Sequence, residues 1–221
     1  MSRPDFSRAY RKANEILVSS SVITTFPYSV KELIKEKSGI HCRSYSLARK
    51  RGVDMTAFGS ESAVVVQFNG KVIIFYDDRK PETHIRFSML HEFGHVVNGH
   101  DFSWTSTETY QQYELETNYF SAQLLMPEQV LREIQMRGIH ISLPFLQEHF
   151  GVSKQAAEKR IATLAKTNAE WRSRAEKEFD DIIVMKYHSF ISQVAPSRSF
   201  SERIEEDIEL ERERQMRLSY L

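Results

Sequence analysis

The segment His-Glu-Phe-Gly-His at residues 91–95 constrains this chain more than any other part of its sequence. It follows the pattern H-E-x-x-H, which has a chemical meaning only on a helix, where positions i and i+4 lie on one face one turn apart. Apolar residues recur at helical spacing through 83–98, and Gly99 is suited to end a helix. The sequence therefore predicts a helix that presents His91 and His95 side by side.

Two imidazoles placed in this way can bind one zinc ion, each at about 2.0–2.1 Å. The carboxylate of Glu92, beside the first histidine, can reach a water on the metal and act as a general base rather than as a ligand. We therefore expect a Zn²⁺ site with His91 and His95 as ligands and Glu92 as the catalytic residue. Mn²⁺ is the alternative ion.

A catalytic zinc ion usually has a third protein ligand and keeps one position open. The metzincin pattern H-E-x-x-H-x-x-G-x-x-H would supply a third histidine. Here its glycine position holds Asn98 and its last position holds Asp101, so His100 falls one residue early. This excludes the metzincin class, and we interpret His100 as a loop histidine near the cleft.

A carboxylate on the next predicted helix is the better third ligand. Glu114 and Glu116 point about 160° apart on a helix, so only one of them can face the metal. Glu114 shares its face with small or polar residues, including Asn118, which can orient a ligand histidine. Glu116 shares its face with core residues such as Phe120. We expect Glu114 to be the ligand, with Glu116 as the alternative.

Upstream of this site, residues 63–68 and 71–76 are β-branched and aromatic and are joined by Asn69-Gly70, the strongest short-range signal for a hairpin. Helical patterns dominate the rest of the chain. The sequence predicts an α+β fold, mainly helical, with a small antiparallel sheet packed on the H-E-x-x-H helix. This is a zincin-like minimal domain followed by helix-turn-helix-like helices.

We expect three parts: a metallopeptidase domain at 1–130, a helix-turn-helix-like region at 131–171 and a charged helical tail at 172–221. In the tail, apolar residues among the charges could form a partner or dimer helix. They are Ile204, Ile208 and Leu210.

Residues 145–164 carry a second functional possibility. Gly151 separates two short apolar-faced helices and Ser153 can cap the second one, as in helix-turn-helix units. The side chains predicted to project from that second helix are Lys154, Gln155, Lys159 and Arg160. They could contact DNA, although the 30 basic and 30 acidic residues of the chain cancel and give no general attraction to nucleic acid.

Taken together, the two metal-site motifs resemble the ImmA/IrrE metallopeptidases. Their pattern is H-E-[LF]-G-H and then E-x-x-A-[ND]-x-F-A-x-x-L-L-M-P. Residues 114–127 have the sequence E-L-E-T-N-Y-F-S-A-Q-L-L-M-P. Thr117 and Ser121 stand where the family commonly has alanine. The resemblance covers about 25–165.

The resemblance implies a gluzincin-like zinc endopeptidase that cleaves a helix-turn-helix transcriptional repressor and so derepresses phage, mobile-element or stress genes. Its carried-over site is His91, His95 and Glu114 as ligands and Glu92 as base. The alternative is a DNA-binding or toxin–antitoxin-type regulator whose metal site is structural. The residue that stabilises the oxyanion stays open among His84, His100, Tyr110 and Tyr113.

The composition is consistent with a protein of a reducing compartment. Cys42 is the single cysteine, so no intrachain disulfide can form. The first ten residues are polar and no apolar signal-peptide core follows them. No apolar run approaches the roughly 18 residues that span a bilayer. We expect a cytoplasmic protein with no membrane partner.

Overall fold

A computed structural model describes residues 4–54, 56–58, 62–68, 70–100, 106–167 and 172–196, together with residues 212 and 216. Its helices are α1 (Phe6–Ser19), α2 (Val30–Ser38), α3 (Tyr45–Lys50), α4 (Glu82–Asn98), α5 (Thr107–Leu125), α6 (Glu128–Met136), α7 (Leu143–Phe150), α8 (Lys154–Leu164), α9 (Arg174–Lys186) and α10 (His188–Val194). Its strands are β1 (His41–Ser44), β2 (Ala63–Phe68) and β3 (Lys71–Tyr76). The predicted α+β class is confirmed.

The three strands form a mixed sheet in the order β1-β3-β2. β2 and β3 are the predicted antiparallel hairpin, with Val65 opposite Ile74 and Gly70 at φ 73°. Asn69 lies outside the described residues. The sheet is not purely antiparallel as predicted, because the unforeseen β1 pairs with β3 in parallel. Among the described strands, β2 has a single neighbour, so its outer edge faces away from the sheet.

Local capping signals set the predicted helix ends. Ser29 begins α2 by accepting a hydrogen bond from the Glu32 N–H, and Gly39 ends that helix at φ 70°. Gly99 ends α4 in the same left-handed conformation, at φ 70°. Glycine adopts this conformation without the steric cost that a Cβ brings. The predicted helix at 83–98 is confirmed.

One buried apolar cluster runs from Ala9 on α1 to Ala195 after α10, and α4 crosses it between the sheet and α5. Helix α1 is joined directly to the end of helix α9. Lys186 Nζ donates to the Leu17 carbonyl at 2.6 Å, and Tyr187 Oη donates to the same carbonyl at 2.8 Å. Core residues therefore come from all three predicted parts of the chain, whose boundaries stay a prediction.

The helix pair predicted within 145–164 is present as α7 and α8, and two buried arginines hold it against the rest of the fold. Arg86 on α4 donates from Nη1 to the carbonyls of Phe150 and Gly151 at 3.0 and 2.6 Å. Arg160 on α8 donates to the Met126 carbonyl at 2.9 Å and to Gln123 Oε1 at 2.6 Å.

The prediction that Arg160 projects outward is therefore wrong, since its side chain is buried against α5 and the turn that follows it. Lys154, Gln155 and Lys159 are exposed as predicted. Ile204, Ile208 and Leu210, the apolar residues of the predicted tail helix, lie outside the described residues. No helix in the described part of the chain is long and apolar enough to cross a membrane.

Candidate metal centre

Helix α4 places the two predicted histidines one turn apart, and their Nε2 atoms face each other at 3.0 Å. Helix α5 brings Glu114 between them. Its Oε2 lies 3.3 Å from His91 Nε2, and its Oε1 lies 3.3 Å from His95 Nε2. Three of the predicted site residues thus converge on one point, at the junction of two helices.

A glycine lets these two helices approach closely enough for this contact. A Cβ built on Gly94 would lie 3.0 Å from Phe120 Cδ1 and 3.2 Å from Thr117 Cγ2 on α5. Even a methyl group there would push α5 away from α4, because core packing has few gaps. The second variable position of the H-E-x-x-H segment, Gly94, therefore helps to set the distance from the histidines to Glu114.

The separations between these donor atoms fit a zinc ion. Ligand atoms held about 2.0–2.1 Å from zinc at tetrahedral angles lie about 3.3–3.4 Å from one another. Here the two Nε2 atoms lie 3.0 Å apart, and each lies 3.3 Å from one of the two Glu114 oxygens. Two imidazoles and one carboxylate are also the donor set of catalytic zinc sites, which leave a fourth position open.

The electrostatics of the cluster favour an ionised carboxylate. The adjacent imidazoles of His91 and His95 hold the pKa of Glu114 well below its usual range. Burial lowers the pKa of His95. Burial acts in the same direction on His91, but the hydrogen bond and charge of Glu114 outweigh it and raise the pKa of His91. Asn118, one turn after Glu114, hydrogen-bonds the His91 side chain, as predicted for a residue that orients a ligand.

Glu92 lies beside the three donors and points toward the sheet. Its Oε2 accepts a hydrogen bond from the backbone N–H of Val65 on β2 at 3.0 Å. This contact orients the carboxylate along the outer edge of the hairpin. The sequence predicted the hairpin and the general base Glu92. It did not predict the hydrogen bond between them, because that bond joins residues from different elements.

The alternative third ligand, Glu116, lies on the other side of α5 in a buried polar network. Its Oε2 accepts hydrogen bonds from His100 Nε2 at 3.1 Å and from Arg8 Nη2 at 2.6 Å. The Nδ1 atom of His100 lies 2.9 Å from His95 Nδ1, on the far side of that imidazole from the donor cluster. His100 is therefore a partner of a candidate ligand and not a free loop residue, which the sequence did not indicate.

Of the four candidate oxyanion-stabilising residues, two line the cleft and two do not. His100 is buried behind His95, and Tyr113 stacks on the His100 ring at a centroid distance of 4.0 Å. His84 and Tyr110 line the cleft. His84 Nε2 lies 2.7 Å from the hydroxyl of Ser62, and the Tyr110 side chain is largely exposed.

The cluster opens into a cleft of about 1110 Å³. β2, α4 and α5 line part of it, and a further wall is formed by α8 of the helix-turn-helix-like pair and the turn that follows α8. The side chains on that wall include Gln155, Lys159, Thr163 and Lys166. The second helix of that pair thus faces the same space as the candidate metal site.

A histidine pair on one helix, an adjacent glutamate and a carboxylate from the next helix form the arrangement of H-E-x-x-H metallopeptidases. Residues 36–162, more than half of the chain, match the Peptidase M78 family model described as the IrrE N-terminal-like domain. The chain belongs to this family, which confirms the resemblance seen in its sequence. Membership supports a metallopeptidase-type function. No protein with a curated description matches the chain significantly.

Proposed function

We propose that this protein is a zinc-dependent endopeptidase whose ion is held by His91, His95 and Glu114 and whose general base is Glu92. The observation that carries the proposal is the convergence of three donor residues beside the Glu92 carboxylate, in the lining of an open cleft. The two Nε2 atoms lie 3.0 Å apart, and each lies 3.3 Å from one oxygen of Glu114. The family match supports the same chemistry.

A zinc ion bound there would act as a Lewis acid on the scissile carbonyl and lower the pKa of a water beside it. Glu92 accepts a proton from the attacking water at its carboxylate and then returns it to the amine nitrogen of the leaving fragment. The Val65 N–H holds that carboxylate in place. His84 or Tyr110 donates a hydrogen bond to the carbonyl oxygen as it becomes negatively charged.

The outer edge of β2 is a suitable support for an extended substrate segment. An edge strand offers backbone N–H and C=O groups that a peptide can pair with by adding a strand. Ala63, Val64 and Val65 on this strand line the cleft, and Val65 is already turned toward Glu92. A peptide paired here would run across α4 with its backbone near the three donor atoms.

The substrate we propose is a helix-turn-helix transcriptional repressor, whose cleavage in the cytoplasm releases phage, mobile-element or stress genes. The repressor is inferred from the family that the two motifs resemble. The arrangement of α8 favours a protein substrate over DNA as the occupant of this face. Arg160, a candidate DNA contact, is buried, and Lys159 lines the same cleft as the donor cluster.

The test is to mix the purified chain with the product of the neighbouring repressor gene, with Zn²⁺ or Mn²⁺ added or chelated. Fragments are identified by mass spectrometry. We expect a single metal-dependent cut in the wild type and none with Glu92→Gln. Metal uptake without a fragment under any condition would favour the alternative of a structural metal in a regulator. Salt-sensitive binding to duplex DNA through 145–164 would favour the DNA-binding form of that alternative.

A further inference from the structure

A continuous series of part-buried hydrogen bonds links the start of α1 to the candidate ligand His95. The Asp5 N–H donates to Glu116 Oε1 at 2.8 Å, and Arg8 Nη2 donates to Glu116 Oε2 at 2.6 Å. His100 Nε2 lies 3.1 Å from the same Oε2, and His100 Nδ1 lies 2.9 Å from His95 Nδ1. Asp5 and Arg8 precede the region 36–162 that matches the family.

The donors around Glu116 determine where the protons of this series must be. A carboxylate that receives an N–H and a guanidinium acts only as an acceptor, so His100 must donate to it from Nε2. A neutral imidazole has one donor and one acceptor nitrogen, so His100 Nδ1 accepts. His95 then donates from Nδ1, and its Nε2 keeps an unshared electron pair.

That electron pair points into the donor cluster, since His95 Nε2 is the atom that lies 3.0 Å from His91 Nε2 and 3.3 Å from Glu114 Oε1. Imidazole binds a metal ion through such an unprotonated nitrogen. The other tautomer of His95 would place a proton on the atom that must bind the ion.

We propose that Arg8, Glu116 and His100 are positioning residues for the metal centre, which hold His95 in the tautomer and orientation that binds the ion. The inference rests on the proposed metal site and adds to it a contribution from α1, outside the family-matched region.

The two central side chains of this series, those of His100 and Glu116, are buried. The exposed fractions of the His100 and Glu116 side chains are 1% and 5%. Hydrogen bonds to a charged group are stronger away from water, and a buried donor without its acceptor is costly. The His100 ring is also fixed by Tyr113, which stacks on it with an interplanar angle of 6°. The ring therefore has little freedom to leave His95.

The test measures Zn²⁺ affinity of the full chain by competition with a chromophoric chelator. His100→Phe keeps an aromatic ring against Tyr113 but removes the acceptor for His95, and we expect about 10- to 100-fold weaker binding. Arg8→Met removes a donor to Glu116, and we expect a smaller loss of about tenfold or less. The matched control is Arg11→Met on the same helix, where an exposed guanidinium lies 4.0 Å from Glu15; its affinity should equal that of the wild type.

A second measurement needs no variant. The ¹⁵N chemical shifts of the histidine side chains in the metal-free wild type report which ring nitrogen carries the proton. We expect the proton of His95 on Nδ1 and that of His100 on Nε2. A proton on His95 Nε2 would overturn the inference, even if the His100→Phe protein did not fold.

The outcomes separate this inference from the proposed function. A wild type that binds no Zn²⁺ would overturn both. A wild type that binds Zn²⁺, with His100→Phe and Arg8→Met binding it equally well, would overturn only the positioning role. Weaker binding in those two variants with unchanged binding in Arg11→Met supports it, provided that circular dichroism shows the same helix content in all four proteins.

Discussion

The backbone N–H of Val65 and the Oε2 atom of Glu92 lie 3.0 Å apart, so the proposed general base and the edge strand of the hairpin share one hydrogen bond. Glu92→Gln preserves an acceptor for that N–H but cannot take a proton from water. We expect kcat to fall by about 10²–10⁴ while the bound metal is unchanged. Cleavage kinetics combined with metal analysis of the same sample would check this, and wild-type cleavage by the variant would contradict the proposed base.

A second prediction concerns the close approach of α4 and α5. Gly94→Ala places a methyl group 3.2 Å from Thr117 Cγ2 and 3.0 Å from Phe120 Cδ1. We expect a loss of about 1–3 kcal/mol in the free energy of unfolding, as is typical of overpacking. Zn²⁺ affinity should fall with it, since Glu114 moves away with α5. The double variant Gly94→Ala with Thr117→Ala lacks the contact with Thr117 Cγ2. It should therefore recover part of the lost stability and part of the lost Zn²⁺ affinity.

The turn between α7 and α8 gives a third prediction. Gly151 has φ 61°, and a Cβ there would lie 2.7 Å from Arg86 Nη1. Gly39 has a similar φ of 70° but has no atom within 4 Å of its built Cβ, so it serves as a control for the backbone effect alone. We expect Gly39→Ala to cost about 1 kcal/mol and Gly151→Ala to cost about 1 kcal/mol or more beyond that. If both variants unfold at the same urea concentration, the Arg86 side chain moves aside with no loss in the free energy of unfolding, which would contradict this prediction.

The cleft wall formed by α8 gives a fourth prediction, which concerns substrate binding. Lys159 and Lys166 are exposed on that wall, and their ammonium groups would attract carboxylates of a bound protein. We expect the double change to glutamine to raise KM for the repressor about two- to tenfold and to reduce the salt dependence of KM. The control is Lys154→Gln on the same helix, which pairs with Glu158 at 3.8 Å and does not line the cleft. If Lys154→Gln raises KM as much as the double change does, the two lysines on the cleft wall have no specific role in substrate binding.

Local signals made much of this architecture predictable. The hairpin followed from its Asn-Gly turn and the C-terminal end of α4 from Gly99, because these depend on neighbours in the sequence. Helix phase was also sufficient to prefer Glu114 over Glu116, since two positions on a helix face nearly opposite directions. The chosen carboxylate is the one that lies 3.3 Å from both imidazoles.

Long-range contacts were not predictable in the same way. The pairing of Arg8 with Glu116 spans 108 positions, and no local pattern marks it. β1 has four residues, too few for an alternation of apolar and polar side chains to be recognised. The burial of Arg160 was missed because periodicity shows which residues share a helix face but not which face docks against the core.

The joining of α1 to α9 through Leu17, Lys186 and Tyr187 has a practical consequence for work on this family. A fragment trimmed to 36–162 would lose both helices, uncover apolar side chains of α5 and α6, and strip Glu116 of its cationic neighbour. The region matched by the family model is thus smaller than the packed unit, which includes α1 and α9. A fragment of residues 4–196 would keep both α1 and α9 and the hydrogen bonds between them.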